Sequence, residues 1–171
     1  MMPKIVIHHF EDEPENVVWI PKVLRNYYDR THPDWIVPRP IEIDDSTDDD
    51  HYIATFFLRP TDATNETAIQ YHVYRTKELF RDCSPAEGDL IILDIMNQNP
   101  DGDFTPDGLE LLERFERLEG ITVLILTGYP HRIPEEKRNM LGERLIVKPP
   151  AVDSFIEKVA NTLEVDYREH S

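Results

Sequence analysis

DLIILDIM, residues 89–96, decides how this chain is read. Four apolar residues, Leu90–Leu93, run without alternation into a single acid, Asp94. A short continuous apolar run of this kind marks a strand covered on both faces, as in a parallel sheet. The same construction recurs along the chain. Ile5–Phe10 runs into Glu11 and Asp12 in FEDEP (10–14), LILTGY (124–129) stops at Thr127, and LIVKPP (145–150) stops at Lys148. In open α/β sheets the chemistry gathers at the carboxyl ends of the strands. Four such ends would bring three carboxylates, a hydroxyl and an ammonium to one edge.

Between these runs the spacing predicts helices. Val17, Ile20, Val23, Leu24 and Tyr27 recur at helical intervals over about Glu15–Tyr28, with Pro14 in the first turn and Pro21 expected to kink the helix. Leu109, Leu112, Phe115 and Leu118 line one face of a second helix ending at Gly120. A weaker helix follows Pro134 over Glu135–Leu141. A last one buries Val152, Phe155, Ile156, Val159 and Leu163. From Asp89 onward this is a βαβα alternation, which places the chain in the α/β class.

The four motifs resemble the receiver domain of two-component response regulators. The likeness is best over residues 4–28 and 88–164 and fades between Asp29 and Glu87, so it covers about three-fifths of the chain. It implies a doubly wound, five-stranded parallel sheet of the flavodoxin-like, receiver type, with room for added antiparallel strands. It implies that Asp94 is the phosphoacceptor and that Glu11, Asp12, Asp94 and the backbone carbonyl of Met96 hold Mg²⁺. Lys148 would face a phosphoryl oxygen, and Thr127 would swing toward the phosphoryl group as a switch. The implied donor is a histidine kinase or a phosphotransfer protein. The readout is a downstream protein partner or a changed oligomer, a homodimer among the options. Such a domain is a phosphorylated signalling module rather than an enzyme, with slow autodephosphorylation expected from Met96 and Tyr129.

The chemistry asks for these residue types. Phosphoryl transfer is mostly positioning plus stabilisation of charge on the transferring oxygens. Three carboxylates in one small space are costly without a cation, and Mg²⁺ suits hard oxygen ligands while keeping several waters. Taken singly, each residue has a plainer reading. Glu11 and Asp12 could favour a helix N-terminus, Asp94 and Thr127 could be turn residues, and Lys148 could be a loop lysine. Their joint order is what favours a site.

Composition narrows the classes. The chain has 171 residues, enough for one core, and is read as a single receiver-like domain over 1–171. With 18 basic against 34 acidic residues its net charge is −16, which argues against nucleic acid and anionic membrane as partners. The single cysteine, Cys83, excludes an internal disulfide and suits a reducing cytosol, so a cytoplasmic location is expected; a surface or half-buried thiol is the simplest reading. No secretory signal or membrane span is visible.

The region from about residue 31 to 75 is read as an insertion around the second strand. Its β-leaning pieces are Trp35–Ile43, His51–Leu58 and Ile69–Arg75, the last two forming a hairpin, with an acidic break at Glu42–Asp50. It would either widen the sheet edge or dock a partner, leaving a receiver-like binding scaffold as the alternative function. Other features depart from the family. Asp107-Gly108 arrives late after Asp94, so a longer flap with Asp101 or Asp103 near the metal is expected. Its Asn97, Asn99 and Asp101 faintly resemble a calcium loop, but Gly108 stands where a bidentate Glu is needed. The aromatic switch position is Leu145. A dehalogenase-like phosphohydrolase would need an acid where Met96 stands. His8 and His9 are odd in a buried strand, and no metal partners stand near them at a usable sequence spacing.

Overall fold

In chain order the elements are β1 (Lys4–Phe10), α1 (Ile20–Thr31), β2 (Trp35–Ile36), β3 (Glu42–Ile43), β4 (His51–Pro60), β5 (Thr67–Tyr74), α2 (Lys77–Arg81), β6 (Leu90–Asp94), β7 (Asn97–Gln98), β8 (Phe104–Thr105), α3 (Asp107–Phe115), β9 (Thr122–Thr127), α4 (Glu135–Leu141), β10 (Leu145–Val147) and α5 (Val152–His170). The computed structural model describes residues 2–170 apart from 14, 16, 32, 45–49, 96, 99–103, 106 and 149.

The fold is α/β with a mixed, mostly parallel sheet. Its strand order is β10-β9-β6-β1-β5-β4-β2, with β3 also paired to β4. The strands from β10 to β5 run parallel, whereas β4 is antiparallel to β5, and β2 and β3 are antiparallel to β4. Counting the parallel strands alone, the order is second-first-third-fourth-fifth, compatible with a flavodoxin-like fold. The sheet has eight strands in all, and those beyond the parallel set are antiparallel additions of the kind for which the sequence reading left room. The added strands come from the segment between α1 and β5. There YIATFF supplies the aromatic and β-branched residues that fit a half-buried pleated surface. The expected hairpin is present as β4–β5, from His51↔Tyr74 to Leu58↔Thr67. The piece expected over Trp35–Ile43 instead splits into the two-residue β2 and β3, because Pro38 and Pro40 between them have no N–H for a ladder.

Each sheet face has its own core. On one, α1 and α5 cover Ile7, Phe56, Ile69, Tyr71, Ile92, Leu124 and Leu126. On the other, α2, α3 and α4 cover Phe10, Ile91, Leu93, Val123 and Ile125 with Phe80, Leu111, Leu112, Phe115 and Leu141. The continuous apolar runs follow from this two-sided cover, since a strand between two helix layers has no solvent face.

Several helices differ in detail from the sequence reading. α1 begins at Ile20, not near Glu15, so Pro21 lies in its first turn rather than its interior. There its missing N–H breaks no bond. Ile20, Leu24 and Tyr28 then form one buried stripe, and the Tyr28 hydroxyl donates to the Ala160 carbonyl of α5 at 3.2 Å. In α3 the expected Leu112 and Phe115 are buried together with Leu111, whereas Leu118 lies beyond the helix and is exposed. Val152 is likewise exposed at the start of α5. The short α2 was not anticipated; the Thr76 side chain caps it by accepting the Leu79 N–H at 3.3 Å. Cys83 just after it is buried, which pushes its thiol up to about 11, so it stays protonated. Among the described residues no helix is long and apolar enough to cross a membrane.

Candidate functional site

β1, β6, β9 and β10 all end at the same edge of the sheet, because they are parallel and adjacent. Each terminal polar residue is thereby delivered to one place. Glu11 follows β1, Asp94 ends β6, Thr127 ends β9 and Lys148 follows β10. The Lys148 ammonium donates to Glu11 Oε2 at 2.9 Å and to Asp94 Oδ2 at 3.0 Å. Its backbone N–H donates to the Thr127 carbonyl at 2.8 Å, which locks the loop after β10 onto the end of β9.

Glu11 and Asp94 are buried, and Asp12 is half-buried beside them. One oxygen from each lies within 4.8 Å of the others, which is the proximity a shared cation requires. The donors are all hard carboxylate oxygens, which suit an oxygen-seeking cation rather than a thiolate- or imidazole-seeking metal. Glu11 is additionally held by the Glu13 N–H, which donates to Oε1 at 3.3 Å.

Burial decides the protonation balance. It pushes the Glu11 carboxyl up to about 7, against the pull of Lys148 and with the push of Asp94. Burial also opposes the charge on Lys148, but Glu11 and Asp94 outweigh it, so its ammonium is held above the usual lysine range. One carboxylate near neutrality and one secure cation leave the cluster short of positive charge. A divalent cation would correct that imbalance.

Thr127 is fully buried, and its hydroxyl oxygen accepts the Tyr129 N–H at 3.0 Å. It is thus brought to the right edge, engaged with its own turn. The Met96 carbonyl, expected as a metal ligand, lies outside the described residues. So do Asp101 and Asp103, expected near the metal.

Two features of the site escaped the sequence reading. Gly108, at the start of α3, sits so close to the strand end that a Cβ there would stand 2.4 Å from the Asp94 carbonyl oxygen and from Ile95 Cα. Its N–H donates to the Ile95 carbonyl at 3.3 Å. The late Asp107-Gly108 pair therefore still returns to the backbone of Asp94. Second, a cavity of about 450 Å³ opens on the α1/α5 side, with Glu11 and Lys148 at its polar end and Val17, Trp19, Ile20, Leu126 and Phe155 among its walls. Within β1, two residues before Glu11, His9 is fully buried and bonded through Nδ1 to the Tyr71 hydroxyl at 2.6 Å. Burial, and then Lys148, lower its pKa to about 3, so the ring is neutral.

No family model matches this chain, and no curated protein matches it.

Proposed function

We propose that the chain is a receiver-type signalling domain that accepts a phosphoryl group on Asp94. The observation that carries this is the Lys148 ammonium bonded to both Glu11 and Asp94 at the carboxyl edge of four parallel strands. Glu11, Asp12 and Asp94 would hold Mg²⁺, which would supply charge neutralisation for a phosphodonor approaching Asp94. Asp94 Oδ would form the new bond to phosphorus as the bond from phosphorus to the donor breaks. Lys148 would transfer its hydrogen bond from Asp94 to a phosphoryl oxygen, and the Thr127 hydroxyl would donate to another. The flavodoxin-like, receiver-type assignment of the fold is part of the same proposal and is supported by the order of the parallel strands. The donor would be a histidine kinase or a phosphotransfer protein, and the output a protein partner.

Acetyl phosphate with Mg²⁺, read by intact mass, tests it. The parent should gain one phosphoryl group and Asp94→Asn none, because an amide has no anionic oxygen to attack phosphorus. Equal labelling of the two would overturn the mechanism.

A second reading, a receiver-like scaffold without phosphorylation, has one observation in its favour. Lys148 already satisfies two of the three carboxylates from within the chain, and β2, β3 and β4 enlarge the sheet edge. A parent that labels with no donor would support it.

A further inference from the structure

Beside the carboxylate edge, the cavity of about 450 Å³ is walled by four parts of the chain. Val17 and Trp19 lie in the segment leading into α1, Ile20 begins that helix, Leu126 belongs to β9 and Phe155 to α5. Folded interiors hold few voids larger than a water molecule, so a space of this size is not a packing gap. It falls within the roughly 300–1,000 Å³ of small-molecule sites, whose walls are apolar and aromatic with a few placed polar groups.

Glu11 and Lys148 supply the polar groups, and because they are bonded to each other at 2.9 Å they form one end. Both Glu11 oxygens are engaged, Oε1 by the Glu13 N–H and Oε2 by Lys148. An ammonium carries three N–H groups. Lys148 gives one to Glu11 and one to Asp94, and among the described residues the third has no acceptor. The matching ligand atom is therefore an acceptor. It is also uncharged. Glu11, Asp12 and Asp94 outnumber Lys148, so an anionic head would meet like charge, and a cationic head would face the ammonium. Either would have to leave water for a largely apolar space.

We propose that this cavity binds a neutral small molecule with a flat apolar body and a single hydrogen-bond acceptor, an aromatic ketone being the simplest example. The body lies against Trp19, Leu126 and Phe155, and the acceptor takes the third Lys148 N–H. Trp19 is only half-buried and Val152 on the same wall is exposed, so the cavity is reached from solvent. Its selection differs from that of the neighbouring carboxylates. They suit a hard cation, whereas the cavity rejects charge of either sign. Binding of this kind needs neither a metal nor a phosphoryl group on Asp94, so it stands apart from the phosphoacceptor reading.

The test is a methyl NMR titration of the full chain with three probes of one shape. Acetylnaphthalene carries a neutral acceptor, ethylnaphthalene carries none, and naphthoate carries a negative charge. Acetylnaphthalene should shift the methyls of Val17, Ile20 and Leu126 and leave those of Ile91 and Val123, on the opposite face of the sheet, in place. Ethylnaphthalene should bind about tenfold more weakly, the low end for a hydrogen bond lost from a charged donor, and naphthoate more weakly than acetylnaphthalene. Lys148→Ala should erase the preference for the ketone over the ethyl compound. Val152→Trp, which adds an indole at an exposed wall position, should weaken all three. The probe series in the parent gives a readout independent of the variants' folding. A parent whose Val17, Ile20 and Leu126 methyls stay unmoved by acetylnaphthalene overturns the proposal. So do equal shifts on both faces, ethylnaphthalene or naphthoate binding as tightly as the ketone, or a preference that survives Lys148→Ala.

Discussion

Lys148 Nζ stands 3.0 Å from Asp94 Oδ2 although the two residues come from strands separated by β9, and the same ammonium holds Glu11 Oε2 at 2.9 Å. One flexible side chain thus carries much of the charge balance at the sheet edge. Removing it should be felt first as stability. Lys148→Ala leaves two buried carboxylates facing each other. The expected loss is about 1–3 kcal/mol, less than for a fully buried pair because the lysine side chain is 28% exposed. Added Mg²⁺ should restore more stability to this variant than to the parent. Thermal melts with and without Mg²⁺ measure it; an identical Mg²⁺ gain in both chains would contradict the shared-charge account.

Glu11 makes stability depend on pH in an unusual direction. Its folded value of about 7 lies above the ordinary 4.5. Below 4.5 both folded and unfolded chains hold the proton. Between 4.5 and 7 only the folded chain does, so its contribution to stability falls as pH rises through that window, with a limiting slope of about 1.4 kcal/mol per pH unit. Above 7 the slope vanishes. Glu11→Gln should flatten this stretch of a denaturant-midpoint profile against pH, and an unchanged profile would show that Glu11 titrates normally.

Metal binding should follow the same group. If Glu11 must be ionised to hold Mg²⁺, affinity rises as pH climbs toward and through 7, with uptake of metal releasing a proton. Asp12→Ala should abolish binding. NMR shifts on Mg²⁺ titration at two pH values read both effects; unchanged affinity in Asp12→Ala would move the site elsewhere.

Gly108 gives a steric prediction. Alanine there would press a methyl into the backbone of Asp94 and Ile95 at 2.4 Å, where no flexible side chain can yield. Gly108→Ala should cost about 1–3 kcal/mol as overpacking and should weaken both Mg²⁺ binding and phosphorylation by shifting Asp94. A variant with parental stability and parental Mg²⁺ affinity would show that the approach is looser.

The added strands are expected to be stable structure. β4 pairs with β5 along its length, and β5 is bonded to β1 on its other side. Amides of Ile53–Leu58 should therefore exchange slowly, with protection comparable to that of β1, and rapid exchange across 51–74 would refute this.

The strand ends were legible in the amino-acid sequence because the signal is local. An apolar run buried on both faces must stop where the chain leaves the sheet, and the polar residue at its end marks the spot: Glu11, Asp94, Thr127 and Lys148 all sit there. The α/β class followed from the same periodicity. What tertiary structure decided was which distant residues touch. The start of α1 at Ile20 depended on Pro21 fitting a first turn, and the eight-stranded sheet on β4 finding the free edge of β5. The return of Gly108 to Asp94 depended on the path of a loop. The histidines show it most clearly. Nothing around His8 in the sequence points to His51 or His72, yet strand register places His8 beside His72 and brings His51 to within 2.9 Å of that residue. Register is set by the packing of whole strands, so a cross-strand cluster has no signature at any one position of the chain.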